Sequence, residues 1–284
     1  MKVGLDSYAY HRYFGELRPT ENTIGQTWST WDLLDRVVEL KIDGIALQTC
    51  FLTLDDSSFR RDLRNRLEQM NIEKIISWGH PYGLEMGKSK SAGSDLARTL
   101  SYAQELGCST VRVVVGHQRF WKQETGSQSV DRLLPVVQAA ADQAEKLGMV
   151  LALENHCDLT VSNLVRLLTA VQRPNVGVTL DTANVVRIGE DLLDSCRQLA
   201  EYTCLVHMKD LILDGASFGD PSGWWPCAPL GMGDLDLPGV FGLLQGAGFE
   251  GLVCIEMGEM HPDYPDEDAA VAESVEYLRT YAED

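Results

Sequence analysis

Eight times along this chain a short apolar run, rich in β-branched residues, is followed by a loop and then by a segment of helical periodicity. The candidate strands are KVGLDSY (2–8), GIALQT (44–49), EKIISWG (73–79), TVRVVVG (110–116), MVLALEN (149–155), VGVTLDT, CLVHMK (204–209) and GLVCIEM (251–257). Between them TWSTWDLLDRVVELKI, SFRRDLRNRLEQM, SDLARTLSYAQELG and VDRLLPVVQAAADQAEKLG carry apolar residues three and four apart. Asn71, Gly107 and Gly148 stand where C-terminal stops are expected. SNLVRLLTAVQ, EDLLDSCRQLAEY, PGVFGLLQGAG and DAAVAESVEYLRTYA complete the helical set.

Strands that are apolar throughout and separated by helices argue for a parallel sheet covered by helices. In 284 residues this rhythm predicts an α/β chain folded as a single (β/α)8 TIM barrel over 1–284, with a doubly wound open sheet as the alternative. The longest irregular stretch, about 211–237, is expected to be a long active-site loop, because loops of that length usually serve a site.

Charge narrows the partners. A net charge of −18 repels phosphate backbones and anionic membranes, so neither nucleic acid nor a membrane is expected as a partner. No apolar run approaches the roughly 18 residues of a spanning helix, and MKVGLDSYAY, with Asp6 inside it, reads as a strand rather than a signal peptide. Seven cysteines without a CxxC pair read as reduced thiols in a cytoplasmic protein. With no P-loop and no GxGxxG after a strand, no nucleotide cofactor is expected.

Barrels of this kind place their active sites at the C-terminal ends of the strands. There the fifth candidate strand ends in Glu154-Asn155-His156, the sixth in Asp181-Thr182 with Asn184 beyond, the seventh in His207-Met208-Lys209-Asp210, and the eighth in Glu256. The first two steps are each one strand–helix unit and the third is a unit plus the long loop. All four groups should therefore project into one mouth. Three carboxylates and an imidazole packed there would repel severely, and a divalent cation removes that penalty. The competing reading of any single carboxylate is a helix N-cap, Asp181 before Thr182 above all. Oxygen-rich ligation with one nitrogen suits a hard or borderline ion, Mn2+ first, with Mg2+, Co2+ or Zn2+ as alternatives, rather than a structural zinc site built on thiolates. The six histidines each follow a predicted strand within a few residues.

LENH (153–156), LDTAN (180–184), VHMKD (206–210) and IEM (255–257) resemble the xylose-isomerase-like barrel superfamily, and within it the sugar phosphate isomerase/epimerase family. WGHPYGLE (78–85) and PLGMGDLDLPGV (229–240) extend the resemblance over nearly the whole chain. It implies that Glu154, Asp181, His207 and Glu256 bind one divalent metal ion. It also implies that Glu154 and Glu256 exchange a substrate proton from opposite faces, as in ketose epimerases. Two positions depart from those epimerases: Asn184 stands where they carry a histidine, and Lys209 and Asp210 follow the metal histidine where they place an arginine farther on. The H-x-K-D ending instead resembles branches with inosose dehydratases, dehydroshikimate dehydratases and lyases of oxo-sugar acids. The DNA-repair endonuclease IV type of the superfamily needs extra histidines, one of which Asn184 replaces.

The expected activity is a metal-dependent isomerase or epimerase acting on a small keto-sugar or sugar acid through a metal-stabilised ene-diolate. A decarboxylase or dehydratase sharing that intermediate is the alternative, and a non-catalytic sugar-binding barrel a third reading. Lys209, two residues past His207 on the same face, is expected to bind a substrate carboxylate or oxyanion, or else to bridge Asp210 or a neighbouring strand-end carboxylate. His156 shares the face of Glu154 and could protonate a leaving group, or only hold a hydrogen bond. His80 and Asn184 are expected on the substrate side. Trp224 and Trp225 would close over the sugar or merely cover the barrel. Gln48 and Arg112 receive no role. A homo-oligomer is compatible with everything read here.

Overall fold

A computed structural model describes residues 1–117, 127–213 and 225–282. Its strands are β1 (Lys2–Asp6), β2 (Gly44–Gln48), β3 (Glu73–Trp78), β4 (Thr110–Val113), β5 (Val150–Glu154), β6 (Val176–Asp181), β7 (Thr203–Met208), β8 (Asp210–Leu211), β9 (Cys227–Ala228) and β10 (Leu252–Ile255). β1 to β7 and β10 run parallel and close into a barrel, β1 pairing with both β2 and β10. The (β/α)8 barrel expected from the sequence is the fold observed, and the open sheet is excluded by the β1–β10 ladder.

The helices among the described residues are α1 (Thr30–Leu40), α2 (Ser57–Met70), α3 (Lys90–Glu105), α4 (Ser127–Lys146), α5 (Val161–Val171), α6 (Thr182–Arg187), α7 (Leu192–Leu199), α8 (Leu237–Gly246) and α9 (Glu267–Ala282). Their ends follow local chemistry. Ser29 and Asp32 form a reciprocal capping box at the start of α1, and Asp56 caps α2. Asn71, Gly107 and Gly148 adopt left-handed conformations, as their stop roles require. No described helix is long and apolar enough to cross a membrane.

Alternation along the strands divides the barrel interior into two layers. Ala46, Ile75, Leu205, Leu252 and Cys254 form a small apolar plug, distinct from the larger core between strands and helices. Gly4 and Gly44 make room for it, since a Cβ there would lie 2.6 and 2.8 Å from Leu252 side-chain atoms. Two residues farther along the same faces come Gln48, Ser77, His207 and Glu256. The plug is a floor, and the polar layer stands on it.

Three details differ from the sequence reading. The first strand stops at Asp6, because its Oδ1 accepts the Tyr8 N–H at 2.8 Å and starts a 3-10 helix over Ser7–Phe14 that contains His11. An extra helix, α6, begins directly at the end of β6. The stretch 211–237 is partly ordered: β8 pairs antiparallel with β9, while 214–224, with Trp224, lies outside the described residues.

Candidate metal centre

Strand register brings the acidic ends together. Asp181 sits beside His207 across the β6–β7 ladder, and His207 sits beside Cys254, two residues before Glu256. Glu154 pairs with Thr179, two residues before Asp181. One ligand-capable atom from each of Glu154, Asp181, His207 and Glu256 lies within 4.8 Å of all the others. All four residues are buried.

Asp181 serves two ends at once. Oδ1 accepts the N–H groups of Ala183 and Asn184 at 2.9 Å, capping α6. Oδ2 faces the cluster and pairs with Lys209 Nζ. The cap reading and the cluster reading are therefore both met, one by each oxygen. Asn155 fixes the segment by donating from Nδ2 to the Asp181 carbonyl and accepting the Asp181 N–H at Oδ1, both at 2.8 Å.

Glu154 is held by two neighbours: Arg112 Nε donates to its Oε2, and Asn184 Nδ2 donates to its Oε1 at 3.1 Å. Arg112, given no role from the sequence, is thus the counter-charge of the innermost glutamate. Asp6 was also missed. It is fully buried, takes Gln48 Nε2 at 3.1 Å and Ser77 Oγ at 2.7 Å, and its Oδ2 lies 3.5 Å from His207 Nε2. A carboxylate there favours the His207 tautomer protonated on Nε2, which leaves the Nδ1 lone pair among the glutamates.

His207 Nδ1 lies 2.6 Å from Glu256 Oε2 and 3.7 Å from Glu154 Oε2. Yet His207 Nδ1, His207 Nε2 and Glu256 Oε2 are buried without hydrogen-bond geometry to any partner among the described residues. Such groups are costly unless something else engages them. Ligand-capable atoms that converge this closely while falling short of good hydrogen-bond geometry suit a shared cation. Lys209 Nζ already probes that point, pairing with Asp181 and lying 2.8 Å from Glu256 Oε2. Three carboxylates and one imidazole, without a thiolate, fit a hard or borderline divalent ion.

The field within the cluster is uneven. Burial pushes Glu154 up to about 7 against the pull of Arg112 and His207. Burial also pushes Glu256 up, but Lys209 and His207 outweigh it and hold this carboxyl well below its usual range. Burial, reinforced by Arg112 and Lys209, keeps His156 neutral. Its ring lines the cavity, and its buried Nδ1 has no hydrogen-bond partner among the described residues.

Above the centre opens a cavity of about 550 Å³, lined by Glu154, His156, Asn184, Lys209 and Glu256. His80 also lines it, with Nε2 2.9 Å from Glu16 Oε1. Tyr8, Arg18 and Arg187 line it as well. Trp225 is buried in the core rather than on the cavity wall, and its carbonyl accepts from Arg187 Nη2 at 3.4 Å. Asp210 points away: Gly231, Gly233 and Leu235 N–H groups bind it at 2.9–3.1 Å. A Cβ on Gly233 would fall 2.2 Å from Asp210 Oδ1, so that turn needs glycine. The run His207-Met208-Lys209-Asp210 thus splits by strand parity, two groups serving the site and Asp210 the loop behind it.

A closed parallel barrel carries, at the C-terminal ends of its strands, an acid–histidine cluster that could hold a cation. The chain belongs to the xylose isomerase-like TIM barrel family, whose sequence model matches residues 34–281. A search of curated protein sequences finds no match. Among solved structures it is similar to an L-ribulose 3-epimerase, at 17% identity and a TM-score of 0.74, covering 99% of this chain and 94% of that one. It is similar to the probable 3-DHS dehydratase AsbF of petrobactin synthesis from Bacillus anthracis, at 17% identity and 0.72, covering 98% and 99%. It is also similar to an IOLI protein with a bound zinc atom, at 17% and 0.74, covering 99% and 98%. At these identities the likeness establishes the fold.

Proposed function

We propose that this protein is a cytoplasmic, divalent-metal-dependent isomerase or epimerase of a small keto-sugar or sugar acid, working through an ene-diolate. The observation that carries the reading is the buried convergence of Glu154, Asp181, His207 and Glu256 under the cavity. Those four residues would hold the ion, with Mn2+ the best match to the donor set. When bound, the ion would polarise the substrate carbonyl as a Lewis acid. The epimerase fold-mate and the zinc-bearing one support this reading, and seven free cysteines suit a reducing compartment.

The two glutamates divide the proton work. Without an ion, Lys209 and His207 outweigh burial and hold Glu256 well below the usual carboxylate range, while burial pushes Glu154 up to about 7. Environments that push two carboxyls apart in this way make a base and an acid. Glu256 would take the α-proton and Glu154 would return one from the other side, inverting the carbon. Arg112 and Asn184 fix the Glu154 carboxyl in place. Neutral His156 would hold a substrate hydroxyl, and His80 would orient the far end.

Lys209 favours a second reading, a lyase acting on an oxo-sugar acid. A buried ammonium between Asp181 and Glu256 could stabilise an oxyanion as a leaving group departs. Proton NMR in D2O, with metal-loaded enzyme and a panel of ketoses and oxo-aldonates, separates the two. Deuterium entering recovered sugar without loss of mass supports the epimerase; release of water or CO2 supports the lyase. No exchange and no turnover across the panel would refute both.

A further inference from the structure

A second cluster of ligand-capable side chains lies apart from the central four. One atom each from His11, Glu21 and Glu267 lies within 4.8 Å of the other two. His11 belongs to the 3-10 helix that follows β1, Glu21 to the loop after it, and Glu267 opens α9, so the cluster joins the first strand–helix unit to the last. All three side chains are buried, at 0%, 4% and 0% exposure. His11 Nδ1 lies 3.0 Å from the Tyr8 carbonyl, an oxygen that only accepts, so Nδ1 carries the ring hydrogen. The neutral ring then turns its Nε2 lone pair toward both Glu21 oxygens, at 2.9 and 3.0 Å. A lone pair facing a buried carboxylate calls for a cation between them.

A proton on Nε2 would answer Glu21 alone, and Glu267 asks for more. It is 2% exposed, its Oε1 accepts from Arg12 Nε at 2.7 Å, and its Oε2 is buried with no hydrogen-bond partner among the described residues. Burial pushes this carboxyl above its usual range in spite of Arg12. We propose that His11 Nε2, both oxygens of Glu21 and Glu267 Oε2 form a second, structural divalent-cation site, suited to Zn2+. Four donors, one nitrogen and three oxygens, match the tetrahedral habit of zinc, whereas Mn2+ favours a larger oxygen shell than this closed place offers. The Tyr8 carbonyl is the outer partner that orients the imidazole. The ion would brace one wall of the central cavity. Tyr8 lines that cavity, and its ring stacks on His11 at 4.9 Å. The Arg18 N–H donates to Glu21 Oε2 at 2.8 Å, and Arg18, Pro19 and Thr20 line the same wall. The site stands independently of the sugar-processing reading above.

The test strips the full chain with EDTA, reloads it with Zn2+ alone, removes the excess, counts bound zinc by mass spectrometry and measures crystals at the zinc edge. The proposal expects an anomalous peak among His11, Glu21 and Glu267, separate from any peak at the central four residues. Glu267→Gln keeps an acceptor for Arg12 and should hold one zinc fewer per chain than the wild type, with the central peak unchanged. Should that variant fail to fold, Glu21→Gln carries the count, and the wild-type map decides if neither folds. No peak at His11 in wild-type crystals, or a zinc count that Glu267→Gln leaves unchanged, overturns the proposal. So do nitrogen-15 spectra of the zinc-loaded protein that show a proton on both ring nitrogens of His11, since the cluster would then be an ion pair only. A peak at His11 with none at the central four supports this site and counts against the metal-dependent activity proposed above.

Discussion

Replacing Arg112 by methionine isolates the electrostatic core of the site. Methionine keeps an apolar stem of similar length and removes only the guanidinium beside Glu154. Both side chains are buried, at 5% and 1% exposure, so water cannot supply the missing counter-charge. Removing one partner of a buried pair costs about 3–5 kcal/mol when the other stays charged. Glu154 has an escape, because burial already holds it near 7 and losing Arg112 raises it further. A proton can then replace the guanidinium at acid pH. The sign follows: a carboxyl raised above its unfolded value stabilises least at high pH, so the cost should be small near pH 6 and approach the full value near pH 9. At about 2–4 °C per kcal/mol for a chain of this size, the melting temperature should fall by roughly 6–20 °C at pH 9. Calorimetric melts in EDTA at pH 6 and pH 9 measure this directly. Saturating Mn2+ should recover part of the loss, since an ion bound only by the folded state adds about 2.7 kcal/mol at 100 times its Kd. An equal drop at both pH values would mean the guanidinium acts through packing, and a change below about 1 kcal/mol at pH 9 would refute the pairing argument.

Other substitutions probe neighbouring links. Asp6→Asn should weaken Mn2+ affinity about 10- to 100-fold in a titration, because Asp6 orients His207 without reaching the ion. Lys209→Met should tighten Mn2+ binding by roughly tenfold while lowering turnover, since it removes the ammonium that competes for Asp181 and Glu256; unchanged affinity would place Lys209 outside the centre. Asp158 is fully buried, and burial pushes its carboxyl up to about 7 despite facing backbone N–H groups of Leu159 and Gly116. Its ionisation should therefore cost stability as pH rises from 4 to 7, so Asp158→Asn should gain up to about 4 kcal/mol at pH 8 and nothing at pH 4 in denaturant titrations.

The barrel was legible because each β-branched run is buried on both faces, so period and spacing alone announce a parallel sheet. The acid cluster was legible for a related reason: Glu154, Asp181, His207 and Glu256 interrupt runs that are otherwise apolar. The same signal was present at Asp6 and Arg112 and went unused. Both lie inside strands, where polar residues at inward parity mark the same layer. Arg187 gave no such signal, because it sits on a short helix that only the Asp181 cap reveals. The downward shift of His156 was equally hidden, since it comes first from burial and then from Arg112 and Lys209, which the fold brings in from elsewhere in the chain. For Trp225 the sequence left a lid and a barrel cover equally open, because adjacent tryptophans in a long loop suit either, and its indole is packed into the core.

Crystals soaked in excess Mn2+ and measured at the manganese edge test the central claim most directly. The account predicts one anomalous peak per chain, contacted by Glu154, Asp181, His207 Nδ1 and Glu256, with Lys209 Nζ moved out from between Asp181 and Glu256. A map with no peak among those four side chains, and Lys209 still bridging the two carboxylates, would contradict it.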